Sequence, residues 1–299
     1  MNKKLKKYIE PLYHGLSENP FTRTVLYHAG EGYFTLRTLL MGKAHPSAEE
    51  IADIEKNVTF IYKSFNRQKC ARKLYRSIKQ YYPGARVVIA DDSRVPLTID
   101  SLREGDTIIH LPFNSGLSRG LDAALQRVGT PYVIRMDDDL LLTPGSHFYS
   151  QLQFLQTHPE VDLAAIQMQS RHPEKAARRY ASVRMNRPLL IPAGTWIDGR
   201  MVVYKAPNVY MARTESLRKV GFDPNIRMID HHEFFYRAAG QIVCVQDPHS
   251  YVMHCHNRFE GKEYTPYRHA YAQDLRYIAA KHGEAYWEDE EAPSTVSKS

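Results

Sequence analysis

The stretch PYVIRMDDDLL, residues 131–141, decides how this chain folds. Residues 132–136 read as a short buried strand: aromatic, β-branched and apolar, entered from Pro131. Three carboxylates, Asp137, Asp138 and Asp139, follow directly. Adjacent acids repel one another and are poor strand formers, so the pattern predicts that something cationic gathers there. In an open α/β sheet the C-terminal end of a strand is where ligands bind. An Asp-x-Asp at that point can hold a hard divalent ion, Mg²⁺ or Mn²⁺, which in turn can grip a diphosphate. A solvated acidic turn is the alternative reading of the same triplet.

Working outward, residues 58–65 (VTFIYKSF) predict a strand, and Asn66-Arg67 leads into a helix over 68–82. Its buried stripe is Ala71, Leu74, Tyr75, Ile78 and Tyr82. Pro83-Gly84 stops it, and ARVVIADD gives a second strand ending at Asp91-Asp92. Such a βαβ unit, with strands as continuous apolar runs, suits a parallel sheet. A third strand over 107–111 leads to FNSGLSRGLDAALQRVGTP, where Ser118 is the expected cap of a helix ended by Gly129. The Asn114-Ser115-Gly116 loop at its start presents backbone N–H groups of the kind that attract anions. Asn66-Arg67, Asp91-Asp92 and Asp137–Asp139 thus converge on one rim of a doubly wound α/β domain. No GxGxxG or GxxxxGK[ST] loop is present, which argues against a dinucleotide fingerprint or P-loop.

Before this core, residues 1–56 read as an N-terminal extension packed on the main domain, with Ser47 and Glu50 in capping-box spacing. After it, Ser146 is the expected cap of a helix reaching 157, and 163–169 is another strand. Residues 170–200 read as a long basic loop, either a substrate lid or a surface insertion. Trp196-Ile197-Asp198-Gly199 predicts a turn between strand-like runs. From Asp230 the run DHHEFFYRAAG predicts a helix ended by Gly240. Asp230, His231, His232 and Glu233 share its first turn, where a general base held against Phe234-Phe235 is one reading and a capping Asp with solvated histidines the other. His254 and His256 lie two apart on a strand and hence on one face. Residues 261–299 predict one more helix ended by Gly283 and an acidic tail.

The 299 residues, 43% hydrophobic and 24% charged, fit an ordinary globular core. A formal charge of +7 suits anionic ligands or surfaces. Cys70, Cys244 and Cys255 are widely spaced, which points to a reducing, cytoplasmic setting rather than a disulfide framework. The start MNKKLKKYIEP is basic without an apolar core, so it does not resemble a secretory signal. It reads as a solvated terminus, with a peripheral contact at the inner membrane face as the alternative.

The order strand–NR–helix, VIADDS, NSGLSRGLDAAL, VIRMDDDLL, then NVYMARTESLRKVGFDPNIRMIDHHEFFYRAAG resembles the GT-A fold glycosyltransferases of family 2 over about residues 57–260. DHHEFF followed by a strand with His254 is similar to the β-1,4-N-acetylgalactosaminyltransferases of the GM2-synthase type. The resemblance implies a Rossmann-like, mostly parallel sheet flanked by helices in one catalytic domain. It implies a nucleotide pocket formed by Asn66, Arg67, Asp91, Asp92, Asn114, Arg119, Asp137 and Asp138. It also implies a divalent metal, Mn²⁺ or Mg²⁺, on Asp139 with Asp137 and His254. Relatives carry Glu-Asp-x-Asp where this chain has DHHE. Asp230 and Glu233 fall on acidic positions of that motif and His231 on the position usually held by the base. Asp230 is the leading candidate for the base, then Glu233, with His231 and His232 as supporting or substitute groups.

The resulting expectation is an inverting, metal-dependent transferase that moves a sugar, an N-acetylhexosamine with GalNAc favoured, from a UDP-sugar to a glycan or glycolipid hydroxyl. Three rivals remain. A DHH-type metal-dependent phosphoesterase lacks its N-terminal Asp and His motifs here. A sugar nucleotidyltransferase lacks its Gly-rich loop. A nucleic-acid binder lacks any recognisable RNA- or DNA-binding pattern.

Overall fold

A computed structural model describes residues 15–16, 18–40, 45–168, 185–255, 267 and 272–283. His256, Gln169 of the expected strand, residues 170–184 of the expected basic loop, the lysine-rich start and the acidic tail lie outside the described residues.

The parallel core is built as the apolar runs dictate. β1 (Val58–Ser64) pairs in parallel with β2 (Arg86–Asp91) on one side and β4 (Tyr132–Asp137) on the other. β3 (Thr107–His110) adds in parallel beyond β2. Register matters more than pairing here. Ser64 lies opposite Asp91 and Lys63 opposite Asp137, so the polar strand ends form one rim. Past β4 the sheet changes character. β5 (Leu140–Leu141) is a two-residue offshoot, β6 (Leu163–Met168) a buried strand, and β7 (Trp196–Ile197) with β8 (Arg200–Val202) a hairpin. The hairpin turn is Asp198-Gly199, with φ of 40° and 76°, the left-handed pair that a two-residue turn needs. β9 (Tyr210–Arg213) runs antiparallel between β4 and β6, and β10 (Cys244–His254) pairs in parallel with β6. The order is β3-β2-β1-β4-β9-β6-β10-β8-β7, with β5 on β10. The parallel reading therefore holds for β3-β2-β1-β4 and for β6–β10, and the sheet as a whole is mixed.

Strand alternation sorts side chains onto two faces. Phe60, Tyr62, Val87 and Ile89 meet α2 (Ala48–Asn57), α3 (Gln68–Tyr81) and α5 (Phe148–Thr157). Ile61, Val88, Ala90 and Val133 meet the second layer, α4 (Leu117–Gln126), α6 (Thr214–Val220), α7 (Asp230–Ala238) and α8 (Ala272–His282). α1 (Pro20–Leu40) lies outside both layers.

Several expectations are corrected. Ser118 does not cap α4: Gly116 is the N-cap, at φ 104°, and Ser118 is buried in the first turn, two residues further on. Ser146 does not cap α5 either, since His147 holds that position and Ser146 Oγ bonds Thr143 N and Tyr251 O instead. Residues 48–57 pack on the main body, where Ile54 is fully buried and α2 runs directly into β1. The capping box of α2 is present as read, with Glu50 N donating to Ser47 Oγ at 3.3 Å and Ser47 N to Glu50 Oε2 at 2.7 Å. Ser47→Ala should therefore lower unfolding free energy by about 1 kcal/mol in a denaturant titration.

Candidate active site

The C-terminal rim of β1, β2 and β4 opens into a cavity of about 340 Å³, within the range of small-molecule sites. Its wall includes Lys63, Phe65, Arg67, Asn114, Gly116, Leu117, Asp137, Asp138, Asp139, Arg227, Asp230, His231 and His254.

On the β1–β2 side, Lys63 reaches Asp92 at 2.6 Å and lies 4.6 Å from the Phe65 ring centre. Burial lowers the lysine pKa and raises that of Asp92, each opposed by the other's charge. Gly120 makes this reach possible, since a Cβ there would stand 2.5 Å from Lys63 Cγ. Asp92 Oδ2 also accepts Gly116 N at 2.9 Å, and Leu117 N donates to Arg227 O at 2.8 Å. The first amides of α4 are thus already taken by the protein. Asp91 accepts Ser93 Oγ at 2.6 Å and Leu97 N at 2.8 Å. Asn66, at φ 52°, accepts Arg94 N at 3.0 Å. Asp91, Asp92 and Asn66 therefore shape the loops behind the cavity, while Asn114 and Arg67 line it. Arg119 is exposed and stands off the wall.

The triplet is held by two arginines. Arg67 donates to Asp138 Oδ1 at 2.9 Å and Asp139 Oδ2 at 3.1 Å. Arg135, on β4 and fully buried, pairs with Asp137 at 2.8 Å and donates to Asn208 O at 2.6 Å. Burial raises the Asp137 pKa, with Arg135 opposing. Antiparallel pairing of β5 with β10 sets His254 opposite Leu140 and so beside the triplet. His254 Nε2 lies 3.2 Å from Asp139 Oδ2, and this hydrogen bond holds the imidazole pKa above its ordinary value. Among the described residues no group of three or more His, Cys, Asp or Glu stands close enough to hold an ion alone. Asp139 and His254, a hard oxygen beside an imidazole, fit a divalent cation as a protein pair completed by oxygens of a bound ligand.

The third wall is α7. Its approach is pinned by Asp274 of α8, a buried carboxylate that accepts from three consecutive amides, Arg227, Met228 and Ile229, at 2.6–3.2 Å. Asp230, first in the helix, is 4% exposed and faces the cavity, with Arg135 Nη2 4.0 Å away. Burial pushes its carboxyl up to about 6, against the Arg135 charge. His231 lines the cavity with Nε2 2.6 Å from Ala206 O, and burial drops its pKa to about 3, so it is neutral at physiological pH. His232 is buried and off the cavity wall. Glu233 also stands off the wall. Arg237 at 2.7 Å, Lys281 at 2.8 Å and His282 at 3.0 Å all bind its Oε1. Burial raises its pKa, but these hydrogen bonds prevail and hold the carboxyl below its usual range. Of the two acids in DHHE, only Asp230 meets the cavity.

Sequence reasoning passed over Lys63, Arg135, Arg227, Asn208 and Asp274. A signal existed for two of them: Lys63 and Arg135 each interrupt an apolar run near a buried strand's end, where a charge requires a partner. Asp274 carried none, because its role depends on how α8 returns to α7.

Residues 59–194 match the family model Glycosyl transferase family 2. With the sheet and rim described above, the chain carries a family 2-type glycosyltransferase domain in a GT-A fold. It is 30% identical over 203 residues to β-1,4 N-acetylgalactosaminyltransferase 2 of Mus musculus, covering 66% of this chain and 39% of that protein. It is 30% identical over 198 residues to β-1,4 N-acetylgalactosaminyltransferase 1 of Homo sapiens, covering 62% and 36%. The chain thus spans less than two-fifths of the length of either relative. In structure it resembles S. aureus TarS 1-349 with a TM-score of 0.50 at 15% identity, over 66% of this chain and 60% of that one, a likeness of fold.

If Asp274 pins the start of α7, Asp274→Ala should cost roughly 2 kcal/mol, because it strands three half-buried amides at once. Amide exchange at 227–229 should accelerate beyond the global change in the same variant.

Proposed function

We propose that the protein is an inverting, metal-dependent glycosyltransferase that moves a sugar from a UDP-sugar to a hydroxyl of a glycan or lipid-linked acceptor. GalNAc is the favoured donor sugar, supported by the two relatives whose names carry that activity. The observation that carries the proposal is one cavity lined by Asp137, Asp138, Asp139 and His254 together with a second, separate carboxylate of raised pKa, Asp230. A displacement at a sugar carbon needs positive charge for a departing diphosphate and a base for the incoming hydroxyl.

In this reading Asp230 accepts the hydroxyl proton as the acceptor oxygen attacks the anomeric carbon from the face opposite the diphosphate. A carboxyl near 6 suits the task, being mostly ionised at neutral pH yet more basic than a surface aspartate. Arg135 orients Asp230 and Asp137 from behind the wall. Lys63 and Arg227 line the cavity and offer positive charge to the leaving group. A divalent cation on Asp139 and His254 would supply further charge to the diphosphate when bound.

Thermal-shift titration tests the donor. UDP and one UDP-sugar should stabilise the protein only with Mn²⁺ or Mg²⁺, by about 2.7 kcal/mol at 100 times the dissociation constant. Indifference to every nucleotide would remove the proposal. Stabilisation by a nucleoside triphosphate with a sugar phosphate would instead favour a nucleotidyltransferase. Asp139→Ala should lower kcat by about 10²-fold or more and abolish the metal requirement.

The base assignment makes a sharper prediction. Asp230 must be ionised to act, so kcat should be flat above its pKa and fall about tenfold per unit as pH drops below about 6. Asp230→Asn should lose about 10²–10⁴-fold in kcat and keep donor binding. Glu233→Gln should lower the melting temperature yet leave the pH profile in place. A Glu233→Gln protein that loses the acid limb while Asp230→Asn keeps it would reverse the assignment.

A further inference from the structure

We propose that His231 is a hydrogen-bond acceptor of fixed tautomer that recognises the acceptor sugar, through the hydroxyl next to the one that reacts. The proposal rests on the reading of Asp230 as the base and adds a specificity-determining residue beside it. His231 lines the cavity and takes no part in the mechanism above. Hydrogen-bond geometry shows which of its nitrogens carries the proton. Nε2 lies 2.6 Å from Ala206 O, and a carbonyl oxygen only accepts, so Nε2 is the N–H. Burial, together with the Lys205 and Arg135 charges, keeps the ring neutral against the pull of that carbonyl. Nδ1 is then a bare lone pair. It has no hydrogen-bond partner among the described residues and is not one of the unpartnered atoms sealed from solvent, so on a cavity-lining ring it opens to the cavity. The ring is braced edge-on by Phe235, with centroids 5.4 Å apart, and turning it over would break the bond to Ala206.

The walls of the cavity differ in what they offer a ligand. Lys63, Arg67 and Arg227 bring cations, whereas α7 opens with two neighbouring acceptors, the Asp230 carboxylate and His231 Nδ1. Neighbouring acceptors select a ligand with neighbouring donors, and the vicinal hydroxyls of a sugar are such a pair. Position points to the acceptor sugar rather than the donor. Asp230 is 4% exposed and His231 is the more open of the two, which sets the imidazole on the solvent side of the base, where an acceptor enters. Asp230 takes the proton of one hydroxyl, while Nδ1 accepts a hydrogen bond from the next and so decides which hydroxyl meets the base. A site that holds an unpaired acceptor for a substrate hydroxyl discriminates against a sugar in which that hydroxyl is blocked.

The test begins with nitrogen NMR of the full chain carrying labelled histidine. At neutral pH His231 should show a protonated Nε2 and a bare Nδ1. With UDP and Mn²⁺ present, methyl β-galactoside, β-glucoside or β-N-acetylglucosaminide should shift the Nδ1 resonance, and UDP-GalNAc alone should leave it in place. Kinetics follow on whichever glycoside turns over best with UDP-GalNAc. O-methylation of the hydroxyl beside the reacting one should raise KM about tenfold, the worth of one hydrogen bond. His231→Gln keeps an N–H for Ala206 O and has no acceptor at the Nδ1 position. It should raise KM for the unmodified glycoside about tenfold and lose the preference for it over the methylated one. Its thermal response to UDP with Mn²⁺ should match that of the wild type. A protonated Nδ1, a resonance unmoved by every glycoside or moved by UDP-GalNAc alone, or a Gln variant that still discriminates would overturn the proposal. A wild-type protein indifferent to UDP would instead remove the transferase reading on which it rests.

Discussion

Three consecutive carboxylates at the end of a buried strand are an electrostatic problem that the rest of the site is arranged to solve. Unit charges 4 Å apart interact by about 4 kcal/mol at an effective dielectric constant of 20. Such repulsion cannot be left uncompensated in a protein of marginal stability. Two buried guanidinium groups supply the compensation from different directions. Arg67, at the start of α3, spans Asp138 and Asp139, while Arg135, inside β4 itself, holds Asp137. Each arginine is costly alone and each carboxylate is costly alone, so removing either partner leaves an unpaired buried charge. This mutual dependence ties the β1–α3 turn to the end of β4.

The same constraint reaches the distal half of the chain. β5 turns the strand back against β10 directly after the triplet, which brings His254 to Asp139 and Cys255 N to Asp139 O at 2.8 Å. On its other side Arg135 extends a second nitrogen, Nη2, that has no hydrogen-bond partner among the described residues and stands 4.0 Å from Asp230. Arg135 is therefore the structural link between the carboxylates at the end of β4 and the one that opens α7.

Local pattern and chemistry made much of this legible. Continuous apolar runs marked β1, β2 and β4, the Ser47–Glu50 spacing marked the start of α2, and DHHEFF marked α7. What escaped was set by contacts distant in sequence. Ser118 and Ser146 have the right identity for caps, but their hydroxyls sit in tertiary surroundings that moved each helix start by a residue or two. The antiparallel insertion of β9 between β4 and β6 follows no local rule, because its four residues read as strand whichever neighbour they choose. α1 was hidden for a different reason: apolar residues on both faces erase the amphipathic period that announces a surface helix. Arg135 lay inside the very stretch that decided the fold, and the surrounding apolar residues masked the one side chain that couples the walls of the cavity.

The two acids of DHHE show why residue type at a motif position does not assign a role. Asp230 and Glu233 are three residues apart on one helix and thus neighbours on its surface. Asp230 is desolvated with the Arg135 guanidinium no nearer than 4.0 Å, so its charge is poorly compensated and its proton affinity rises. Glu233 receives hydrogen bonds from three cationic or imidazole groups, two of them on α8, so its charge is over-compensated and its proton affinity falls. A base must gain a proton in the reaction, and the acid already saturated by donors is the poorer choice. Glu233 instead anchors α7 to α8, the helix whose Asp274 fixes the amides just ahead of Asp230. One turn of α7 therefore holds a group left reactive and a group spent on holding it in place.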